Sequence, residues 1–574
     1  MNSLVLLIIG VAVLAAGYLL YGGWLVKTWG VGELKEETPA HTVDDGGVDY
    51  VPAKAPVLMG HHFSSIAGAG PITGPISALA LGFGWVPCVL WVLIGGVLVG
   101  GVHDFGALIA SVRHGGKSIG EIISANMSKR AKRLFIIFSY LTLILVVAAF
   151  ASIVAGTFGV TNAAGEAVGN PDSNAAVAMV SLLFIVIAIA FGFLVYRRNA
   201  PMGLATLVGV IAIVICMVIG MNFHPFYLSY NTWMYIVGIY IAVASVTPVW
   251  ILLQPRDYLS SFLLYAMLAL AVFAVIVAHP SLDALPVMAS EACTTPVFPV
   301  LFTTIACGAC SGFHSLVSSG TTSKQLDKEV DAKPIAYGGM LLECVLAILT
   351  ICAVGFAYSY NAANPDAPLT GATSIFAGGI ACMASSIAGG MGGKAYSVMF
   401  TLLVLTYSAF CLTSLDTATR LARFMFQEFW LDGSKGETPE NVTGYKKVLS
   451  NPYFATILTV VLGIFLGMNG YAKIWTLFGS ANQLLAALGL LAVGAWLANA
   501  GKKNLMVVIP MFFMLFVTIA SLAINTKTQL GMITAGGADW GPYTQVIIGV
   551  LLIVMAVLLA IEGIQTIFGG KKAQ

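Results

Sequence analysis

Apolar runs of about 20 residues follow one another along this chain and are separated by short polar segments. A helix of that length spans the hydrocarbon core of a bilayer, because each residue adds about 1.5 Å. The pattern therefore predicts an all-α polytopic membrane protein with about fifteen transmembrane helices. The predicted segments lie near residues 3–26, 64–83, 86–112, 133–158, 174–196, 200–221, 231–253, 258–279, 297–318, 335–359, 396–420, 452–470, 474–499, 504–525 and 543–567.

The first apolar run, from Val5 to Val26, has no basic segment before it and no clear small-residue cleavage site after it. A secretory signal peptide would have both features. We therefore expect this run to be a retained transmembrane helix.

Lys and Arg residues occur in every second connecting segment if all of the predicted spans cross the membrane. Because positive residues in short loops mark the cytoplasmic side, this regularity predicts a periplasmic N-terminus and a cytoplasmic C-terminus. The basic clusters are Arg113, Lys117, Lys129, Arg130, Lys132 and Arg133; Arg197 and Arg198; Arg256; Lys324, Lys328 and Lys333; Arg420, Arg423, Lys446 and Lys447; Lys502 and Lys503; Lys571 and Lys572.

The composition agrees with a lipid environment. Charged residues make up 9% of the chain, hydrophobic residues make up 59%, and the mean hydropathy is +0.92. A soluble domain carries about 25% charged residues. The net charge of +2 also argues against a nucleic-acid partner, which would require a strongly basic face.

The cysteines and the first histidine pair do not predict a cofactor. Nearly all of the nine cysteines lie in apolar stretches, so we expect no disulfide framework. Cys307 and Cys310 form a CxxC motif, but no thioredoxin-like context surrounds them. His61 and His62 have no carboxylate or cysteine at helical ligand spacing. We therefore expect neither redox chemistry nor a bound metal.

Several predicted helices carry residues that break helical geometry. Gly68–Pro75 contains three glycines and two prolines, and each proline removes a backbone donor and clashes one turn back. Ser245–Pro248 interrupts a later span, and Cys307–Ser323 is a third interrupted region, rich in Gly, Ser and Thr. Breaks at the bilayer midplane are typical of substrate sites in secondary transporters. Small residues also serve helix packing, and that alternative stays open.

The positions of the first two breaks predict an inverted repeat. Five predicted spans separate the start of the helix at His61 from the start of the helix at Asn231. Because five is odd, the second helix enters the membrane from the opposite face. The expected divisions are an extra N-terminal helix and cytoplasmic loop in 1–60, a first five-helix repeat in 61–225, an inverted repeat in 226–425 and accessory helices in 426–574.

Ionisable residues inside predicted spans are energetically costly and indicate a pathway or a proton relay. The pairs His103–Asp104 and Arg256–Asp257 are either such groups or end-of-helix groups near water. Asp416 is either a relay group or a solvated cap. Histidine titrates near neutral pH, so a histidine is a candidate for the coupling proton. The whole set comprises His61, His62, His103, Asp104, Arg256, Asp257, His314, Glu343 and Asp416.

Five of these segments resemble the signatures of the carbon starvation protein A (CstA) family. They are His61–Pro71, Gly101–Leu108, Gln254–Tyr258, Cys307–Lys324 and Asp416–Arg420. The resemblance implies a secondary transporter of the bacterial inner membrane that takes up peptides or pyruvate under nutrient limitation. It also implies the LeuT-like fold of the amino acid-polyamine-organocation superfamily, with a five-plus-five inverted repeat.

The interrupted spans predict a carrier, and the resemblance implies that its cargo is a pyruvate-like carboxylate or a peptide, taken up by proton symport or, alternatively, by sodium coupling. A channel would need a ring-like filter, and an intramembrane enzyme would need a paired nucleophile and base. A sensor would need a sizeable soluble domain. The sequence favours a carrier over these three classes. The predicted substrate-binding residues are His61, His62, Ser64, Ser65, Gly68, Gly70, Gly74, Thr247, His314 and Ser315. The predicted ion-coupling residues are His103, Asp104, Arg256, Asp257, Ser318, Thr321, Glu343 and Asp416.

Overall fold

A computed structural model describes residues 1–33, 37–44, 49–198, 200–289, 293–305, 307–366, 368–387, 393–431, 437–536 and 539–569. The basic pair Lys571 and Lys572 lies outside the described residues. The described part is almost entirely helical. In chain order its main helices are α1 (Ser3–Trp29), α2 (Ala55–Ile66), α3 (Gly70–Ala80), α4 (Trp85–Val112), α5 (Lys129–Phe158), α6 (Pro171–Val195), α7 (Met202–Asn222), α8 (Tyr230–Val246), α9 (Leu253–Ala278), α10 (Val297–Thr304), α11 (Gly312–Gly320), α12 (Glu329–Ala363), α13 (Ser374–Ser385), α14 (Lys394–Trp430), α15 (Pro452–Met468), α16 (Leu477–Asn499), α17 (Leu505–Thr534) and α18 (Trp540–Phe568).

Eleven helices of the described residues are long and apolar enough to cross a membrane. They coincide with eleven of the predicted segments, which confirms the all-α polytopic class. The segment predicted at 231–253 forms the shorter apolar helix α8, and those at 64–83 and 297–318 are each divided into two short helices. The segments predicted at 452–470 and 474–499 are not separated in the structure, because α15 continues into α16 as one helix, Pro452–Asn499. Helix α13 was not predicted. The total of about fifteen crossings stays a prediction.

The first interruption is shorter than the sequence predicts. Helix α2 begins at Ala55, so His61 and His62 lie within it, and the helical path breaks only between Ile66 and Gly70. The expectation that Gly68–Pro75 cannot hold a regular helix is wrong for residues 70–75, which are helical in α3. Pro71 lies in the first turn of α3, where a backbone N–H has no intrahelical partner, and Pro75 lies within α3.

A second interrupted helix, α10–α11, runs antiparallel to the first. The backbone N of Ala53, before α2, bonds the carbonyl of Gln325, after α11, at 3.0 Å. At the opposite end, the N of Trp85, after α3, bonds the carbonyl of Pro286, before α10, at 3.0 Å. The interruption predicted at Ser245–Pro248 instead lies in the connection between α8 and α9.

Several of the basic segments meet at one end of the bundle, whereas Arg256, which the alternation places in a connecting segment, is buried among helices. Arg113, after α4, pairs with Glu329 at 2.8 Å and bonds the carbonyl of Gly30, after α1, at 2.5 Å. Asn499, at the end of α16, bonds the carbonyl of Asn126 at 3.0 Å. We call this the predicted cytoplasmic end. The orientation of the termini and the division into two repeats stay predictions.

Candidate functional site

The two interruptions meet inside the bundle. A Cβ on Gly70 would lie 2.3 Å from Sγ of Cys307, far inside the contact distance of real atoms. A Cβ on Gly68 would lie 2.8 Å from the ring of Phe150 and 3.1 Å from Oγ of Ser414. Only glycine therefore permits this approach without displacement, and unwound backbone from both helices lies side by side.

The first buried cluster surrounds Arg256, in the first turn of α9. Its Nη2 donates to Oδ1 of Asp257 at 2.8 Å, and its Nη1 bonds Oδ2 of Asp416 on α14. Tyr240 on α8 donates to the same Asp416 oxygen at 2.7 Å, and Nδ1 of His61 on α2 lies 2.7 Å from Oδ2 of Asp257. We call these five side chains the arginine cluster. Four separate helices contribute to it.

The arginine cluster decides two alternatives that the sequence left open. Asp416 is 1% exposed and lies in the middle of α14, so it is not a solvated cap. Arg256 and Asp257 are also buried, which excludes the interpretation as end-of-helix groups near water. Two carboxylates share one guanidinium here, and Oδ1 of Asp416 has no hydrogen-bond partner among the described residues.

The second buried cluster surrounds Asp104 on α4. Its Oδ1 lies 2.7 Å from Nδ1 of His103, and its Oδ2 lies 2.8 Å from Nδ1 of His314 on α11. Nε2 of His314 lies 3.3 Å from Oε2 of Glu343 on α12. All four side chains are completely buried, so the interpretation of His103 and Asp104 as groups near water is wrong. We call these four side chains the histidine cluster.

Three further predicted residues of α2 bond to neighbouring segments. His62 Nδ1 is 2.9 Å from Oγ1 of Thr322, and the Oγ of Ser64 donates to the carbonyl of Asp257 at 3.2 Å. The Oγ of Ser65 lies 3.4 Å from that of Thr417.

On α11 and just after it, the hydroxyls of predicted residues donate hydrogen bonds to backbone carbonyls of the preceding turn. Ser315 and Thr321 donate to Gly312 and Val317, at 2.8 and 3.0 Å. The hydroxyl of Ser318 is buried and has no partner among the described residues.

Two predicted substrate residues lie apart from the clusters. Thr247 follows α8, and its hydroxyl donates to the carbonyl of Val243 in a partly exposed position. Only its carbonyl reaches a charged group, the guanidinium of Arg420. Gly74 is buried within α3 rather than at the break. Eight of the other predicted residues belong to the two clusters, and Gly68 and Gly70 lie at the break between α2 and α3.

Sequence reasoning missed three contributors. Tyr240 lies in an apolar run that carries no signal of its role. Gln325 places Nε2 3.4 Å from Nε2 of His61. Asn482 on α16 accepts the backbone N–H of Phe313 at 2.9 Å, and so caps α11 from a helix assigned to the accessory region. A polar Ser480–Gln483 segment inside an apolar span was a usable signal, since such residues often bond neighbouring helices.

Comparison with known proteins assigns the family. Residues 2–373 and 361–521 match the profile described as carbon starvation protein CstA. The chain belongs to the CstA family. The peptide transporter CstA of Bacillus subtilis is 33% identical over 566 residues, which cover 90% of each protein. The pyruvate/proton symporter BtsT of Escherichia coli is 28% identical, over 85% of this chain and 76% of that protein.

Among solved structures, a mutant of the manganese transporter of Eremococcus coleocola is similar at 12% identity, with a TM-score of 0.49 over 92% of this chain and 99% of that chain.

The family assignment confirms the resemblance that the five sequence signatures carried. Together with the eleven long apolar helices, it makes this chain a multi-pass bacterial membrane protein of a family whose relatives are named as transporters.

Proposed function

We propose that this CstA-family protein is a proton-coupled importer of small carboxylates, either pyruvate-like acids or the carboxylates of peptides. The observation that carries this proposal is the pairing of Arg256 with Asp416 inside the bundle. Arg256 is the natural partner for a substrate carboxylate, because a planar guanidinium binds carboxylates through two parallel hydrogen bonds. In the structure that capacity is occupied by two protein carboxylates.

Protonation of Asp416 supplies the coupling step. A neutral Asp416 no longer holds Arg256 by charge, so one side of the guanidinium becomes available to a substrate carboxylate while Asp257 keeps the other side. His61 remains within hydrogen-bond distance of Asp257. Proton binding and substrate binding then favour the same state, which is the condition for symport.

The crossing of the interrupted helices supplies the rest of the proposed substrate site. Backbone N–H groups at the start of α3 and the hydroxyls of Ser64 and Ser65 lie on the same broken helix as His61. Helix N-termini favour anions because their first N–H groups have no intrahelical partner. This arrangement would receive a carboxylate without a further cation.

Uptake by reconstituted protein tests the proposal. Vesicles that contain the protein and a pH-sensitive dye are exposed to pyruvate or to a dipeptide under an inward proton gradient. We expect the interior to acidify faster with substrate than without it. Asp416→Asn should abolish the substrate-dependent acidification, because the amide cannot carry the proton. Thr406→Val, a buried substitution on the same helix, should leave it unchanged.

Two results would contradict this function. Absence of uptake of both substrates would reject the proposed cargo. Wild-type acidification by Asp416→Asn would reject Asp416 as the coupling group. Uptake that requires sodium and moves no protons would instead favour the sodium-coupled alternative, which the unpartnered buried hydroxyl of Ser318 supports. Hydroxyl oxygens are suitable ligands for a hard cation.

The physiological setting belongs to the same proposal. The family description as carbon starvation protein supports uptake under nutrient limitation. The proposal includes the predicted orientation, with a periplasmic N-terminus and a cytoplasmic C-terminus. The contacts that gather the basic segments at one end of the bundle support that orientation.

A further inference from the structure

We propose that Cys307, His314 and Glu343 form a binding site for one divalent transition-metal ion, with Zn²⁺ as the ion that suits the ligands best. One ligand atom from each side chain lies within 4.8 Å of the other two, and all three side chains are buried. Thiolate, imidazole and carboxylate are the three ligand types that zinc accepts in proteins. The proposal concerns a site that the arginine cluster does not use.

The distances suit a tetrahedral ion. Zinc–ligand bonds of about 2.0–2.3 Å place neighbouring ligand atoms roughly 3.3–3.8 Å apart. Nε2 of His314 and Oε2 of Glu343 are already 3.3 Å apart. All three ligand atoms lie within 4.8 Å of one another, so no distance between them exceeds the tetrahedral spacing by more than about 1 Å. Small side-chain rotations would remove this difference. A fourth coordination position remains for water or another ligand.

The potential ligand atoms have few other partners. Nε2 of His314 and both carboxylate oxygens of Glu343 make no hydrogen bond among the described residues, although both side chains are 0% exposed. A buried polar group without a partner is destabilising, and a charged one is more so. A metal ion would bind Nε2 of His314 and one carboxylate oxygen of Glu343 at the same time.

Asp104 orients the histidine in the manner of a metal centre. Its Oδ2 lies 2.8 Å from Nδ1 of His314. An ionised carboxylate only accepts hydrogen bonds, so Nδ1 carries the proton and, in a neutral ring, Nε2 presents a lone pair toward Glu343. Metal-binding histidines usually donate their second N–H to a carboxylate, which raises their basicity. His103 holds the other oxygen of Asp104 at 2.7 Å.

The backbone of both interrupted helices leaves room for the thiol. Cys307 lies in the interruption between α10 and α11, and its Sγ occupies the space that a side chain on Gly70 would fill. An ion at this position would tie the interruption to α11 and α12. It would also give Cys307 a role that the CxxC pattern did not predict.

Metal analysis of the purified full-length protein tests the proposal without any transport measurement. Protein in detergent is incubated with Zn²⁺, passed through a desalting column and analysed by mass spectrometry for bound metal. We expect about one tightly held zinc per chain in excess of the amount retained by the variants Cys307→Ser and Glu343→Gln. Cys344→Ser is the matched control, because its Sγ faces Gly96 rather than the site.

Cobalt substitution reports the thiolate ligand directly. With Co²⁺ in place of Zn²⁺, we expect a thiolate-to-cobalt charge-transfer absorption in the wild type and in Cys344→Ser, and its loss in Cys307→Ser. Gel filtration establishes that each variant is folded, and Glu343→Gln, which keeps the side-chain shape, provides a second test if Cys307→Ser does not fold. Wild-type protein that retains no metal, or metal content unchanged in both variants, would overturn the site.

Discussion

Arg256 makes hydrogen bonds in three directions, with its neighbour in the sequence and with residues of two other helices. It contacts Asp257 beside it, Tyr240 on α8 and Asp416 on α14. Burying such charges is tolerated only when each is paired and hydrogen-bonded. The shape of the guanidinium therefore matters as much as its charge, because a lysine offers a single ammonium on a flexible stem.

Arg256→Lys is expected to reduce substrate uptake at least tenfold, equivalent to about 1.4 kcal/mol. The ammonium cannot reproduce the pairing with Asp257 and Asp416 together with the bond to Tyr240. Initial rates in the reconstituted vesicles measure the effect at equal amounts of folded protein. Arg130→Lys, on the exposed surface of α5, is the control and should transport normally. Unchanged uptake by Arg256→Lys would show that the guanidinium geometry is not used.

At the scale of the helices, the crossing of α2–α3 with α10–α11 depends on the absence of a side chain at Gly70. The interruptions approach so closely that Cys307 would have to move if a methyl group were added. Asn482 of α16 then holds the start of α11 through the N–H of Phe313 and through Oγ of Ser311, at 2.9 and 3.0 Å. The C-terminal helices thus support the site rather than only surrounding it.

Gly70→Ala should destabilise the protein by about 1–3 kcal/mol, since overpacking a tight core forces its neighbours apart. Thermal unfolding in detergent measures the change. Gly156→Ala is the matched control, because nothing lies within 4 Å of a Cβ at that exposed position of α5. Because alanine has less conformational freedom than glycine in the unfolded chain, this substitution should leave the free energy of unfolding unchanged or raise it by about 0.5–1 kcal/mol. Equal stability of the two variants would contradict the close crossing.

At the scale of the whole molecule, segment 49–53 passes across the predicted cytoplasmic end and joins three parts of the chain. Asp49 pairs with Arg420 of α14 at 3.2 Å, and the hydroxyl of Tyr50 donates to the carbonyl of Gly115 at 3.3 Å. Ala53 bonds Gln325, next to the interrupted helix. Segment 49–53, which we call the strap, also borders a cavity of about 130 Å³. The residues that line this cavity include Lys117, Glu121, Ser319, Gly320, Lys324 and Glu428.

The negative charge of Asp49 attaches segment 49–53 to Arg420 of α14. Burial alone would raise the pKa of Asp49, but the nearby charges of Lys324, Arg420 and Arg423 lower this pKa below its ordinary value. A carboxylate whose pKa is lowered by folding contributes stability that is present above its unfolded pKa and is lost as the pH falls through the lowered value. The ion pair with Arg420 therefore persists at neutral pH.

Asp49→Asn should loosen the strap, because Arg420 loses its charged partner there. Hydrogen–deuterium exchange should then become faster in residues 49–54 and 321–326, with little change elsewhere. Glu166→Gln, in the exposed loop at the other end of the bundle, should leave both segments unchanged. Identical exchange in the wild type and Asp49→Asn would show that this pair does not hold the segment.

The sequence by itself determined the features that depend on local chemistry. Span length and hydropathy located eleven long helices, Gly and Pro marked the first interruption, and Gly and Ser marked the second. The cost of burying charge in lipid selected the ionisable residues of both clusters before any contact was known. The motifs around His61, Asp104 and His314 were sufficient to identify the family.

Only the tertiary structure decided which of these groups meet. Arg256 and Asp416 are 160 positions apart, and Asp104 and His314 are 210 apart. No periodicity within one helix relates residues at such separations, because helix packing alone sets those distances. For the same reason the sequence could not show that α10–α11, rather than the break after α8, crosses α2–α3. It also could not identify Tyr240, whose role depends on the position of a neighbouring helix.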